Sequence, residues 1–175
     1  MASWKQTTWY IFHMFTLNFK EEKKEYYQTF FSSFKVLLPC DICINHYREQ
    51  LNTPGLRLRE NISKDKLFGW TIKIHNNVNA SNKKRVWNIQ ESKDYYQKEV
   101  FDKNQLKVMI LEYVKYNFKK GPVKTEELFK MLKSLCHIYP DTVKSEKLLS
   151  IPFPINRDNI RSWLIQFFQI LFDQD

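Results

Sequence analysis

Glycine is almost missing from this 175-residue chain, which has 3, at Gly55, Gly69 and Gly121. No G-x-G-x-x-G or G-x-x-x-x-G-K can be written with them, so the Gly-rich dinucleotide loop and the P-loop are excluded. Cysteine is equally sparse, with 3 residues, too few for the paired framework that staples small secreted domains. Long apolar runs are lacking as well. The longest uncharged stretches, Gln6 to Phe19 and Ser162 to Phe172, fall short of the ~20 apolar residues a spanning helix needs, so no membrane span is expected. The first twelve residues lack the basic segment, apolar stretch and small-residue cleavage site of a secretory signal, and a soluble intracellular protein is expected.

What is present is charge and aromatic bulk. Lys and Arg number 28 against 19 Asp and Glu, a formal net charge of +9. The excess is spread along the chain rather than gathered into a stripe, so nucleic-acid binding is not expected. Hydrophobic residues make up 43% and aromatic residues 16%, enough to build a core in one domain or a domain with an appendage.

The apolar spacing is helical throughout. Trp9, Phe12, His13, Thr16 and Leu17 share one face of a first helix from about Thr7 to Phe19. Tyr26 to Leu38 forms a second, stopped by Pro39, and a third runs from about Cys40 to Leu51. Ser63 is the expected N-cap of a fourth carrying Leu67, Trp70, Ile74 and Val78, and a fifth segment spans about Ile89 to Phe101. Three further stripes follow: Leu106 to Phe118, Leu128 to Leu135 and Ile160 to Leu171. The expectation is an all-α fold with a boundary close to residue 101.

Chemistry concentrates in Leu38-Pro39-Cys40-Asp41-Ile42-Cys43. A C-x-x-C at a helix start exposes its first sulfur to the positive end of the dipole, which activates the thiolate, and holds both sulfurs within disulfide reach. The pair alone is ambiguous. Two buried cysteines on a helix would read the same, and Cys40, Cys43, His46 and His75 together contain the residue types of a zinc site, in a zinc-stabilised interaction module. A thioredoxin-like site is excluded because no βαβ pattern flanks the pair. The second cluster is His75-Asn76-Asn77-Val78-Asn79, where polar groups share a helix face that would otherwise be apolar, and Trp9 with His13 repeats the i, i+4 theme.

Trp9-x3-His13, then Leu38-Pro39-Cys40-x-x-Cys43, then His75-Asn76-x-Val78-Asn79 with Lys83 and Lys84 shortly after, resembles the FAD-linked sulfhydryl oxidases of the Erv/ALR family. Trp4 before Trp9, and Asn82-Lys83-Lys84 after the Asn cluster, are most similar to versions from large cytoplasmic DNA viruses. The resemblance covers about residues 4–100. It implies an oxidase domain over 1–101, a four-helix bundle plus a short fifth helix, with 102–175 as a helical extension. It implies that Trp9, His13, His75, Asn76, Asn79, and Lys83 or Lys84 bind FAD, and that Cys40 is the outer and Cys43 the flavin-side redox cysteine. By the same resemblance the enzyme takes electrons from a thiol-bearing protein or a thioredoxin-like relay, delivers them to O2 as H2O2, and works as a homodimer in host cytoplasm, with the virion a further location. No metal is implied. Departures from the family pattern are Lys5-Gln6 in place of Gly-Arg, Ile72 where a structural disulfide cysteine often stands, and no second shuttle C-x-x-C; Cys136 reads as core packing.

Overall fold

Ser3 opens the first helix. Its backbone N–H donates to the Gln6 side chain at 2.9 Å and its hydroxyl accepts from the Gln6 N–H at 3.4 Å, a capping box that begins α1 (Trp4–Leu17) three residues earlier than the apolar stripe alone suggests. In the computed structural model the described residues are 3–154, 156 and 158–173, and among them there is no strand.

Helix α2 (Lys24–Leu37) follows, its inner face made of Tyr27, Phe30, Phe31, Phe34 and Leu37, all without exposure. It ends at Leu38, whose extended backbone (φ −53°, ψ 133°) is what Pro39 imposes on its predecessor. Then come α3 (Asp41–Asn52), the single turn α4 (Leu58–Asn61), α5 (Leu67–Ser81) and the short α6 (Ile89–Tyr96). The extension supplies α7 (Lys103–Asn117), α8 (Pro122–Ile138), α9 (Thr142–Ser150) and α10 (Ile160–Phe172). Gly121 makes the sharp turn into α8 at φ 102°, a left-handed value that glycine adopts without strain, and Pro122 takes the first helical position.

The all-α expectation holds, with α1, α2, α3 and α5 as the long helices of 1–101 and α6 as the short fifth. Three details differ from the sequence reading. Ser63 does not cap α5: it lies in a turn whose carbonyl accepts from the Lys66 and Leu67 N–H groups, so the helix begins at Leu67. The turn α4 and the helix α9 were not expected, the first too short and the second too polar to show an apolar stripe. Helix α6 stops at Tyr96 rather than Phe101.

A phenylalanine cluster holds the bundle together. The Phe12 ring meets Phe34 at 4.6 Å and Phe31 at 4.9 Å, both edge to face, and Phe31 meets Trp70 of α5 at 5.1 Å. Burying each such ring stabilises by roughly 1.5–3 kcal/mol, and the edge-to-face geometry fixes the helices in register. The extension shares this core. Helix α8 packs along α2, where Ser33 donates to Glu127 at 3.0 Å and His137 stacks on Tyr26 at 3.6 Å. Helix α7 packs on α1, with Thr8 and Tyr113 hydroxyls 3.1 Å apart. At its end the Asn117 amide donates to the Leu37 carbonyl at 2.9 Å, so the extension braces the chain just before Pro39-Cys40.

Candidate active site

Cys40 is the N-cap of α3. Its extended backbone (φ −169°, ψ 112°) turns the sulfur back over the helix start, where it accepts from the Cys43 N–H at 3.2 Å. Cys40 and Cys43 are joined in a disulfide with Cα atoms 5.1 Å apart, inside the usual range. Both cysteines are half-buried, and Cys43 packs against the core. The remaining cysteine, Cys136 on α8, is 1% exposed, and burial pushes its thiol up to about 12, so it is no nucleophile at neutral pH.

The second cluster forms where α1 packs on α5. Trp9 and His75 stack in parallel, centroids 4.3 Å apart and planes 5° apart, and His13 lies behind them 5.3 Å from His75. The Tyr96 ring of α6 closes over His13 at 4.9 Å. His13 is wholly buried, Trp9 and His75 half-buried, so the stack has a sealed end and an open end.

Hydrogen bonds fix the protons in this stack. The Thr71 hydroxyl has one proton and donates it to the Phe68 carbonyl at 2.7 Å. Toward His13 it can therefore only accept, so His13 Nδ1, 2.9 Å away, carries a proton. Burial above all, and then the neighbouring His75, holds the His13 imidazole well below its ordinary pKa, so the ring is neutral and Nε2 is an acceptor. His75 Nδ1, 3.0 Å from it, must then donate. His75 is itself pushed down to about 4, first by burial and then by Lys84, so it too is neutral and its Nε2 is left as a lone-pair acceptor at the open end. Thr71 belongs to the site in this way, and sequence reading missed it. The available signal was its i−4 spacing from His75, which places both on one face of α5.

Asn76 and Asn79 have a defined task. The Asn76 amide pairs with the Trp87 backbone, donating to its carbonyl at 2.7 Å and accepting from its N–H at 2.9 Å, and the Asn79 amide donates to the Arg85 carbonyl at 3.1 Å. Lys83 sits in the left-handed region at φ 53°, with Lys83 N–H bonded to Ala80 and Lys84 N–H to Asn79, which closes α5 in a Schellman turn. That turn sends the chain back along the helix and brings Lys84 within electrostatic reach of His75. Lys83 and Lys84 are both exposed, and Arg85 stacks on Trp87 at 4.3 Å while pairing with Glu91. The donor set of this region therefore comprises flat aromatic faces, an imidazole acceptor and cations. It suits a planar heteroaromatic ligand carrying N–H or O–H donors and anionic groups.

The residues weighed for zinc do not converge. Cys40 and Cys43 are bonded to each other, His75 is committed to His13, His46 is exposed on α3, and among the described residues no three His, Cys, Asp or Glu form a metal cage.

Residues 6–100 match the Erv1/Alr family. The chain belongs to the Erv1/Alr family. It is 34% identical over 91 residues to a protein of Acanthamoeba polyphaga mimivirus named probable FAD-linked sulfhydryl oxidase, a match covering 52% of this chain and 64% of that protein. It is 29% identical over 122 residues to FAD-linked sulfhydryl oxidases of two African swine fever virus isolates, covering 67% of this chain and 94% of theirs. No solved structure matches the chain. The family match contains both clusters described above and ends just before α7, so the Erv1/Alr region is α1 to α6.

Proposed function

We propose that this Erv1/Alr chain is an FAD-dependent thiol oxidase, converting 2 R–SH and O2 to R–S–S–R and H2O2. The observation that carries the reading is the Cys40–Cys43 disulfide at the start of α3, where an attacking thiolate meets a sulfur backed by free helix N–H groups. A substrate thiolate attacks Cys40, the outer cysteine by the family resemblance, and the S–S bond breaks with Cys43 leaving as a thiolate. The helix start stabilises that charge. A second substrate thiol, after losing its proton, attacks the mixed disulfide, which releases the substrate disulfide and leaves Cys40 and Cys43 reduced. FAD, when bound, supplies the two-electron acceptor that restores the Cys40–Cys43 disulfide and hands the pair to O2.

Trp9, His13 and His75 are the residues proposed to pack on the flavin nucleotide, with the His75 Nε2 acceptor facing a ligand donor. Lys84, whose charge already reaches His75, is the better placed of the two lysines to meet the pyrophosphate or ribose. Asn76 and Asn79 hold the 84–88 segment that closes the site. The names of the viral relatives support FAD and the sulfhydryl-oxidase activity. Host cytoplasm is the working compartment that the family resemblance implies, where a dedicated oxidase can oppose reducing conditions. No helix among the described residues is long and apolar enough to cross a membrane. The partner is a thiol-bearing protein or a thioredoxin-like relay, and the assembly is a homodimer, as the family resemblance implies. With 1–101 as the oxidase domain, 102–175 is an extension built onto the same core.

Oxygen uptake tests this reading. Purified protein loaded with FAD should consume O2 with dithiothreitol as donor, and Cys40→Ser and Cys43→Ser should each reduce uptake to background. Full activity in either variant would remove the dithiol from the mechanism.

A further inference from the structure

The mouth of the disulfide is not built by the Erv1/Alr region alone. Asp41, the residue after Cys40, meets two side chains of the extension: Lys124 Nζ of α8 at 3.9 Å and the Tyr116 hydroxyl of α7 at 3.5 Å. The Tyr116 ring in turn meets Lys120 at 5.0 Å and Lys124 at 5.5 Å, so both cations are held against one aromatic ring. Arg48 of α3 is fixed by donation to the Lys35 carbonyl at 2.7 Å, and its charge, with that of Lys120, acts on Lys124.

Arg48 and Lys120 thus crowd Lys124, which has one carboxylate, Asp41, against it. Asp41 offers them little neutralisation, because its side chain is 73% exposed and its contact with Lys124 is long. The acids that follow on α8 are turned elsewhere: Glu126 and Glu127 pair with Lys130, and Glu127 also accepts from Ser33. The Asp41–Lys124 pair is flanked in sequence by the two most exposed aliphatic side chains of its neighbourhood, Ile42 at 68% and Val123 at 74%. Among the described residues neither belongs to the core cluster or to the side chains packed against it. The exposed Lys120 and Arg48, the partly buried Lys124 and the exposed β-branched side chains beside the disulfide form a surface with an occupant missing, one that carries acidic groups for the cations and apolar groups for Ile42 and Val123.

We propose that the start of α3 and the α7–α8 turn form a docking surface for an acidic, partly apolar segment of the thiol-bearing protein, with Lys120, Lys124 and Ile42 as its contacts. This assigns the extension a role in substrate selection and rests on the thiol-oxidase reading. A negatively charged segment is steered toward the cations and delivered with its thiol next to Cys40, so charge governs encounter and register more than the chemistry itself.

Two readouts separate the proposal from the reading beneath it. The first is fluorescence anisotropy of a labelled Ser-x-x-Ser peptide flanked by glutamates, and of its lysine-flanked counterpart, on wild-type protein and on Lys120→Glu/Lys124→Glu. The second is dithiothreitol oxidation by the same proteins, since that donor is uncharged and too small to span the surface. The expected result is salt-sensitive binding of the glutamate peptide, weakened at least about tenfold by the double variant, with dithiothreitol turnover changed by less than about twofold. Lys120→Gln/Lys124→Gln, milder for the fold, should fall between. Equal binding of both peptides by wild-type protein, or unchanged glutamate-peptide binding by the folded double variant, overturns the docking surface while leaving the oxidase intact. Lysine-dependent binding without any dithiothreitol oxidation keeps the surface and removes the oxidase reading.

Discussion

Replacing Thr71 by valine probes the proton chain of the histidine stack with almost no change in volume. The variant removes the acceptor that pairs with the His13 Nδ1–H, in a site where the imidazole has no exposure to water. If the tautomer stayed as it is, a buried donor would be left unpaired at a cost of about 1–3 kcal/mol. The ring has a cheaper response. It moves its proton to Nε2, donates to His75 Nδ1, and forces the His75 proton outward to Nε2. The Thr71–His13 bond and the Thr71 donation to the Phe68 carbonyl are then both lost, together about 1–3 kcal/mol, which for a chain of this size lowers Tm by roughly 2–12 °C. The larger consequence is at the open end, where the His75 Nε2 lone pair becomes an N–H. Long-range 15N–1H correlation spectra of the flavin-free protein should show both histidines protonated at Nδ1 in the wild type and both at Nε2 in Thr71→Val. Titration of FAD against flavin fluorescence should show binding weakened by about tenfold, the equivalent of one exchanged donor–acceptor pair at 1.4 kcal/mol. A wild-type His75 protonated at Nε2, or a variant with unchanged tautomers, refutes the reasoning.

The same pair predicts acid sensitivity. His75 titrates at about 4 in the fold against 6.5 in a free chain, so the unfolded state binds more protons between those values; stability is complete above pH ~6.5 and is lost as pH falls toward 4. His75 alone contributes on the order of 3 kcal/mol to that loss, measurable by urea denaturation across the range. Asn76→Ala frees the Trp87 backbone of two hydrogen bonds and should speed tryptic cleavage at Lys83, Lys84 and Arg85 several-fold, where an unchanged rate would place the loop's support elsewhere. Lys84→Glu exchanges the charge that helps hold His75 neutral, so an NMR titration should show the His75 pKa moved upward and FAD binding weakened.

The sequence is most informative where a residue's task is local. Cys40 caps α3 because Pro39 forbids helix just before it, and both facts lie within a few residues. Trp9, His13 and His75 meet because each lies on the inner face of its own helix, and helical period alone places them there. Nonlocal tasks are not readable in this way. Nothing in the sequence joins Asn76 to Trp87, since that pairing depends on the left-handed turn at Lys83, a conformation better suited to glycine. Thr71 looks like one more polar residue on α5 until His13 arrives from α1. The brace from Asn117 to Leu37 joins helices far apart in the chain, and only packing of α7 on α1 reveals it. The start of α1 was legible and differs for a simpler reason: Ser3-x-x-Gln6 is a capping box that outranks the first apolar residue as a helix signal.

The central claim is that the Cys40–Cys43 pair passes electrons from thiols to a flavin held by the Trp9–His13–His75 stack. Anaerobic addition of dithiothreitol to FAD-loaded protein tests it in one step. The account predicts that the visible flavin absorbance bleaches, that admitting air restores it with one H2O2 released per flavin, and that Cys43→Ser stays coloured throughout. A wild-type flavin that dithiothreitol leaves oxidised, or a Cys43→Ser protein that bleaches as fast as wild type, contradicts it.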